Sequence, residues 1–328
     1  MHLTDRQAKI FVAGHRGLVG SAIVSVLRNN GFSNLVLRTH DALDLMDTQA
    51  TTLFFEQEQP DFVVFAAAKV GGILANSTYP VDFLEQNLLM AANSIRAAHQ
   101  VKVKRFIFLG SSCIYPKFAP QPLQESSLLT SELEPTNEWY AIAKIAGIKL
   151  CQAYHQQFGD DFISLMPTNL YGTQDNFDLQ TSHVLPALIR KFHEAKGTNG
   201  ETDEPVTLWG TGTPRREFLH SRDLAEACLF VLQQPESQIQ AIAPDRMLNV
   251  GCGTDLEIRE LATLIREVVG SQSEIQYDTT KPDGTPRKLM DTSRMTRLGW
   301  QPHISLRQGL SEVYQWYLSS CLSSTDQQ

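Results

Sequence analysis

Ile10-Phe11-Val12-Ala13-Gly14-His15-Arg16-Gly17-Leu18-Val19-Gly20 runs from a short apolar strand, through three glycines, into a segment of helical spacing. Glycine lets a backbone approach a diphosphate closely, and the free N–H groups at a helix N-terminus favour its negative charge. The spacing is GxxGxxG rather than GxGxxG. Three glycines alone are a weak signal, but the strand–turn–helix position strengthens it. A tight turn without a ligand is the plainer alternative. Gly14, His15, Arg16, Gly17, Leu18, Val19 and Gly20 are the candidates to hold a dinucleotide.

The same rhythm continues outward. Asn30-Gly31 stops the first helix. Leu35–Leu37, Asp61–Ala68, Arg105–Gly110 and Ile163–Met166 read as further strands, with long helices predicted at Pro80–His99 and Tyr140–Phe158. Continuous apolar strands alternating with helices predict a parallel sheet covered on both faces, a doubly wound α/β (Rossmann) domain. Beyond about residue 175 the chain becomes turn-rich, as at Gly197–Pro205. Helical spacing returns at His183–Ala195, Arg222–Gln233, Ile258–Val269 and Leu306–Ser319. The expected division is residues 1–175 for the dinucleotide, with about 214–252 returning to that part. Residues 176–328 then mainly form a smaller α/β substrate-binding domain.

Bulk properties exclude other classes. The 328 residues are 42% hydrophobic and 20% charged, which suits a globular chain of more than one domain. A net charge of −8, without a basic stripe, argues against nucleic acid. An anionic ligand must then meet its own local cations. Five dispersed cysteines (Cys113, Cys151, Cys228, Cys252, Cys321) form neither a disulfide framework nor a metal site. No signal peptide or membrane-spanning run is evident, so a cytoplasmic protein is expected, ordered except at its last six residues.

Arg38 follows the second strand, where the adenosine ribose of a dinucleotide would lie. A cation there favours a 2′-phosphate over a free hydroxyl. Arg38, Arg16 and nearby His40 therefore point to NADP, against the alternative of solvated surface arginines. Tyr140-Ala141-Ile142-Ala143-Lys144 places a phenol and an ammonium on one helix face. The lysine is expected to lower the tyrosine pKa, so that the phenol exchanges a proton while hydride moves. Ser111-Ser112 closes the fourth strand and sets a hydroxyl beside the same crevice.

These elements, with Asn169-Leu170-Tyr171-Gly172 and Arg216-Glu217-Phe218-Leu219-His220, resemble the extended short-chain dehydrogenase/reductase family over nearly the whole chain. Thr173 departs from it, since many members have Pro there. The resemblance implies NADPH/NADP contacts from Leu109, Gly110, Ser111 and Ser112. It implies others from Lys144, Pro167, Thr168, Asn169, Leu170 and His183.

Three features are narrower. Cys113 lies two residues past Ser111; a thiolate near cations serves as a base for a carbon acid. A small buried apolar cysteine is the equal alternative. His183, preceded by Ser182 at a helix start, is either an acid facing the pocket or a surface or capping residue. Ala66-Ala67-Ala68-Lys69-Val70-Gly71-Gly72-Ile73 allows close backbone approach, and Lys69 adds a cation.

Together with Tyr79-Pro80, 134–138 and 281–288, these segments resemble the branch of the family that epimerises and then reduces GDP-linked 4-keto-6-deoxy sugars. That resemblance implies a catalytic set of Ser111, Cys113, Tyr140, Lys144 and His183. Cys113 would take protons from C3 and C5, and His183 would return them on the opposite face. Tyr140 would protonate O4 during NADPH-dependent reduction, with Ser111 orienting that oxygen and Lys144 tuning Tyr140.

Lys191, Arg215, Arg216, Lys281, Arg287 and Lys288 are candidate cations for the GDP diphosphate. The resemblance favours Lys191, Arg216 and Asp283 for the substrate, with Trp209 near the nucleotide or, alternatively, in a core. Lys191 stands where the family usually has Arg, which loses the bidentate fork. His40 stands where a related enzyme has Arg, which loosens the preference for NADPH. A homodimer through the two long helices is common in the family. The rival readings are another nucleotide-sugar epimerase or dehydratase of the family, and a non-catalytic NADP-binding regulator. The first fits poorly because Ser112 and Cys113 stand in place of the acid pair of a dehydratase, and Cys113 and His183 would idle in a 4-epimerase. The second fits poorly because Tyr140 and Lys144 are both present.

Overall fold

A computed structural model describes residues 2–179, 181–196, 203–281 and 283–320. The first half runs β1 (Ile10–Ala13), α1 (Leu18–Asn29), β2 (Leu35–Val36), α2 (Thr48–Glu58), β3 (Phe62–Phe65), α3 (Ile73–Thr78), α4 (Pro80–Gln100), β4 (Arg105–Leu109), α5 (Glu138–Phe158) and β5 (Phe162–Pro167). There follow β6 (Asn169–Tyr171), α6 (Val184–Glu194), β7 (Val206–Trp209), β8 (Arg215–Arg216), β9 (Phe218–His220), α7 (Ser221–Gln233) and α8 (Glu236–Ile242). The last part is β10 (Met247–Val250), β11 (Leu256–Glu257), α9 (Ile258–Val269), β12 (Ile275–Asp278), β13 (Arg287–Lys288), α10 (Ser293–Leu298) and α11 (Leu306–Ser320).

Six strands form one parallel sheet in the order β10-β5-β4-β3-β1-β2. The core strands β1, β3, β4 and β5 are buried along their whole length. They carry apolar side chains to both faces, as a doubly covered sheet demands. One face packs α1 and α7 through Ile23, Leu27, Leu224 and Val231. The other packs α2, α4 and α5 through Phe55, Ile95 and Ile148. A third cluster joins α6, α9 and α11 through Leu188, Ile265 and Val313. The sequence-predicted α/β class is the fold observed.

Local chemistry sets the element ends. Gly31 (φ +82°), Gly159 (φ +75°) and Gly270 (φ +72°) lie in the left-handed region at or just beyond the ends of α1, α5 and α9. The third strand ends at Phe65 rather than Ala68, because the chain turns away into the loop that ends at Gly72. Some elements lacked a clear sequence signal, among them α2 and β10. The weakly amphipathic α2 is started by Asp47, whose carboxylate accepts from the N–H groups of Gln49 and Ala50. Strand β10 is only four residues long and pairs with β5 across some 80 residues of chain.

The order in which the strands are added reverses between β1 and β3, the switch point at whose C-terminal strand ends a doubly wound sheet takes its ligand. The glycine turn, the loop after β3, Gly110–Cys113 and Pro167–Asn169 all leave the sheet at that edge. Residues 197–202, Pro282, Cys321 and the C-terminal hexapeptide lie outside the described residues.

Candidate functional site

The glycine turn is sterically locked. A Cβ on Gly20 would stand 2.1 Å from the Gly14 carbonyl oxygen, and one on Gly14 2.8 Å from that of Ala66. Gly17 sits at the N-cap of α1, with no side-chain cap and no acid in the first turn. The first amides of α1 are thus left to an anion. His15 Nδ1 is buried without a partner among the described residues. His15 and Arg16 border a cleft of about 710 Å³. That cleft is also lined by Arg28 and Gln174, which sequence reasoning missed. This cradle, open at its amides and flanked by arginine, fits a dinucleotide diphosphate.

The adenosine-side cations differ. Arg38 bonds Glu58 at 2.5 Å and its own neighbour's carbonyl, Leu37, at 3.0 Å. Its charge is already shared. His40 projects into solvent, 3.9 Å from Asp44.

At the end of β4, Gly110 leads into Ser111, whose Oγ accepts from the Cys113 N–H at 3.3 Å. A single tight turn, Ser112–Ile114, tucks the Cys113 thiol into a buried position. Burial pushes that thiol up, while Lys288, a hydrogen bond with Ser111, and Lys144 pull it down. Lys144 is buried too. Its Nζ donates to the Leu109 carbonyl at 2.7 Å and lies 5.7 Å from the centre of the Tyr140 ring. Burial lowers Lys144 to about 8.

The sequence expectation that lysine lowers the Tyr140 pKa is corrected. Burial raises Tyr140, and a charge on Cys113 raises it further. Loss of water around the phenol is the larger of the two causes.

His183 caps α6 with its backbone, but its ring makes no cap bond. Solvent reaches the ring, yet the surrounding walls remove enough water to push the imidazole below its usual range. The loop after β3 adjoins this segment, with the Gly72 N–H donating to the Thr181 carbonyl at 3.3 Å. Asn87 and Asn76 rivet that loop through the backbone of Lys69, Gly71 and Gly72. Lys69 is not a free cation, for it pairs with Asp82 at 2.5 Å. Pro167 ends β5, and Leu170 lies partly buried in β6. Thr168 and Asn169 are held by the Glu217 carbonyl at 3.3 and 2.8 Å.

On the second face the six candidate cations divide. Arg215 and Arg287 are both bound to Asp255. Lys191 bonds the Thr207 carbonyl at 3.2 Å beside a groove of about 380 Å³. Arg216 bonds the carbonyl of Arg215 at 2.8 Å. It is drawn electrostatically to Asp283 and to Glu134, a residue missed as a site neighbour. Lys288 is half-buried, and loss of water depresses its pKa. Trp209 is 70% exposed, which excludes the core alternative. Lys281 lies 5.7 Å from its ring centre. Asp283 accepts from the Thr211 N–H and hydroxyl at 2.9 and 2.7 Å, and so fixes the turn after Trp209. Asp175 was also missed. Burial lifts its carboxyl to about 7, and one of its oxygens has no partner among the described residues. A short run of polar loop residues gave no signal for it.

Comparisons agree with this geometry. The model of the NAD dependent epimerase/dehydratase family matches residues 10–251. The chain is 60% identical to GDP-L-fucose synthase 1 of Arabidopsis thaliana, over 97% of this chain and 95% of that one. It is 54% identical to GDP-L-fucose synthase of Escherichia coli, over 95% and 97%. Among solved structures, a GDP-6-OMe-4-keto-L-xylo-heptose reductase from C. jejuni superposes with a TM-score of 0.90 at 37% identity, over 96% and 99% of the two chains. A GDP-L-fucose synthetase from Naegleria fowleri bound to NADP gives 0.85 at 26%, over 98% and 97%. The chain belongs to the NAD dependent epimerase/dehydratase family, in the branch formed by the GDP-L-fucose synthases.

Proposed function

We propose that the chain converts GDP-4-keto-6-deoxy-D-mannose to GDP-L-fucose by inverting C3 and C5 and then reducing the C4 ketone at the expense of NADPH. The observation that carries this reading is the convergence of Ser111, Cys113 and Lys144 at the end of β4. A plain reductase has no use for the buried thiol. Full-length identity to GDP-L-fucose synthases supports the same reading.

The C4 ketone acidifies the protons on C3 and C5. Cys113 removes each as a thiolate, and His183 returns a proton on the opposite face, inverting the centre. NADPH, when bound, supplies the hydride for C4. Tyr140 gives its phenolic proton to O4, Ser111 orients that oxygen, and Lys144 balances the charge left on the phenolate. Gly14–Gly20 and the uncapped α1 would hold the diphosphate of the cofactor. Arg16, Arg38 and His40 stand toward its adenosine end. Leu109–Ser112, Lys144, Pro167–Leu170 and His183 line its reactive end. Lys191, Trp209, Arg216 and Asp283 serve the GDP moiety.

Residues 1–175, joined by about 214–252, form the NADP-holding part in this reading, and 176–328 mainly the sugar-nucleotide part. Exposed apolar residues on and beside α4 and α5 (Tyr79, Val81, Leu88, Leu89, Trp139, Ile142) support a homodimer through these helices. The four described cysteines are unpaired, which supports a reducing cytoplasm.

The test is incubation with GDP-4-keto-6-deoxy-D-mannose and NADPH in deuterated water. The expected result is NADPH consumption with deuterium at C3 and C5, the label being lost in Cys113→Ser. Consumption without label leaves a C4 reductase, and neither signal from folded protein overturns the reading.

A further inference from the structure

Glu217 separates β8 from β9, and its side chain is completely buried. Oε1 accepts the Gly253 N–H at 2.6 Å, and Oε2 accepts the Met290 N–H at 2.9 Å. The fit is close, since a Cβ on Gly251 would stand 2.3 Å from Oε1. Gly253 follows the sheet strand β10. Met290 lies two residues past Lys288 on β13, which pairs with Arg216 on β8. The main-chain carbonyl of Glu217 meanwhile holds Thr168 and Asn169. One residue therefore ties the sheet edge, the cofactor-side turn and both strands bearing Arg216 and Lys288.

Cohesion alone does not call for an acid here. A buried carboxylate is costly to desolvate, and an apolar side chain of similar size would hold a core at least as well. What a carboxylate adds is two directed acceptors that fix two separate backbones at one distance. The side chain serves chiefly the GDP side, through Gly253 and Met290, though its carboxyl also meets the Thr168 hydroxyl. The main-chain carbonyl serves the cofactor side, through Thr168 and Asn169. A change of side chain leaves that carbonyl in place, so the two roles separate by experiment.

We propose that Glu217 is a positioning residue that sets Arg216 and Lys288 for the bound GDP-sugar, acting through the backbone N–H groups of Gly253 and Met290. This rests on the reading that this face takes a GDP-linked sugar. It assigns Glu217 no contact with substrate.

The test is calorimetric titration of GDP and of NADPH, separately, into wild-type and Glu217→Gln protein. Gln keeps one acceptor oxygen but turns an amide donor toward a donor, which releases one strand. The expected result is a GDP Kd raised about tenfold, with the NADPH Kd unchanged within about twofold, on the scale of one lost charge-assisted hydrogen bond. Both ligands weakening together would mark a merely structural residue and overturn the proposal, as would no change in either. If Glu217→Gln does not fold, hydrogen exchange on the unaltered protein decides. GDP should slow exchange at the Gly253 and Met290 amides together, and unchanged rates with GDP bound overturn the proposal. Wild-type protein that takes no GDP at all counts against the sugar-nucleotide reading, and the proposal falls with it.

Discussion

The Lys144 ammonium donates a 2.7 Å hydrogen bond to the carbonyl of Leu109, the last residue of β4. A helix side chain is thereby fixed to the strand end that delivers Ser111 and Cys113. Lys144→Met should remove the charge and strand that carbonyl. C4 reduction is expected to fall by about 10²- to 10⁴-fold, the usual scale of a disabled acid–base pair. Single-turnover NADPH oxidation measures it. A loss under about threefold would leave Lys144 a packing residue.

Cys113 and His183 predict an unusual pH response. Burial holds the thiol above and the imidazole below their ordinary ranges. The form needed for epimerisation is thiolate with imidazolium, so it is a minority at every pH. Its abundance rises as pH climbs toward the His183 pKa, is level between the two, and falls above the Cys113 pKa. Deuterium uptake at C3 should follow a bell, and His183→Asn should lose most of the uptake. Uptake that climbs without a maximum would exclude His183 as the acid.

Gly20→Ala places a Cβ 2.1 Å from the Gly14 carbonyl oxygen. Backbone cannot yield there without opening the turn. NADPH affinity is expected to drop at least ~100-fold, an estimate for losing the helix-terminus anion site. GDP affinity should change little. Equilibrium titration of each ligand is the check, and unaltered NADPH binding would place the cofactor elsewhere.

Asp283 holds the turn behind Trp209 through two bonds to Thr211. Asp283→Ala should free that turn and weaken GDP about five- to tenfold, in line with one or two lost hydrogen bonds. Quenching of Trp209 fluorescence by GDP would shrink with it. Full quenching at normal affinity would exclude the role.

The doubly wound sheet was legible because its strands are unbroken apolar runs ending in glycine or small residues. Gly14–Gly20, Ser111 and Tyr140–Lys144 stood out as candidates because the chemistry proposed for them depends on fixed local spacing. What escaped depends on distant pairing. Strand β10 is recognisable only beside β5, and α2 only once Phe54 and Phe55 meet Phe11. The rise in Tyr140 and the spending of Lys69, Arg215 and Arg287 on carboxylates likewise follow from neighbours that spacing does not reveal.

Asp175 links stability to pH. Its folded pKa, about 7, lies above the ordinary value, so the folded state binds the proton more tightly than the unfolded chain. The stability this group contributes is present in acid and is lost as pH rises through about 7. Asp175→Asn keeps the shape without the charge. It should match wild type near pH 4 and melt a few degrees higher at pH 8. Equal melting at both pH values would show a solvated carboxylate.

Strand β10 also governs the order in which the molecule can assemble. Arg105, at the start of β4, reaches the carbonyls of Val231 at 2.6 Å and Gln234 at 2.7 Å. A ribosome that has released the first 175 residues has therefore made a sheet with β5 as a bare, mostly apolar edge and a buried arginine that keeps Asp161 but lacks its carbonyl acceptors. Such an edge invites strand pairing between chains. The nascent protein must carry that liability until residue 250 emerges, so co-translational folding is late and long-range. An N-terminal fragment should aggregate rather than bind NADPH.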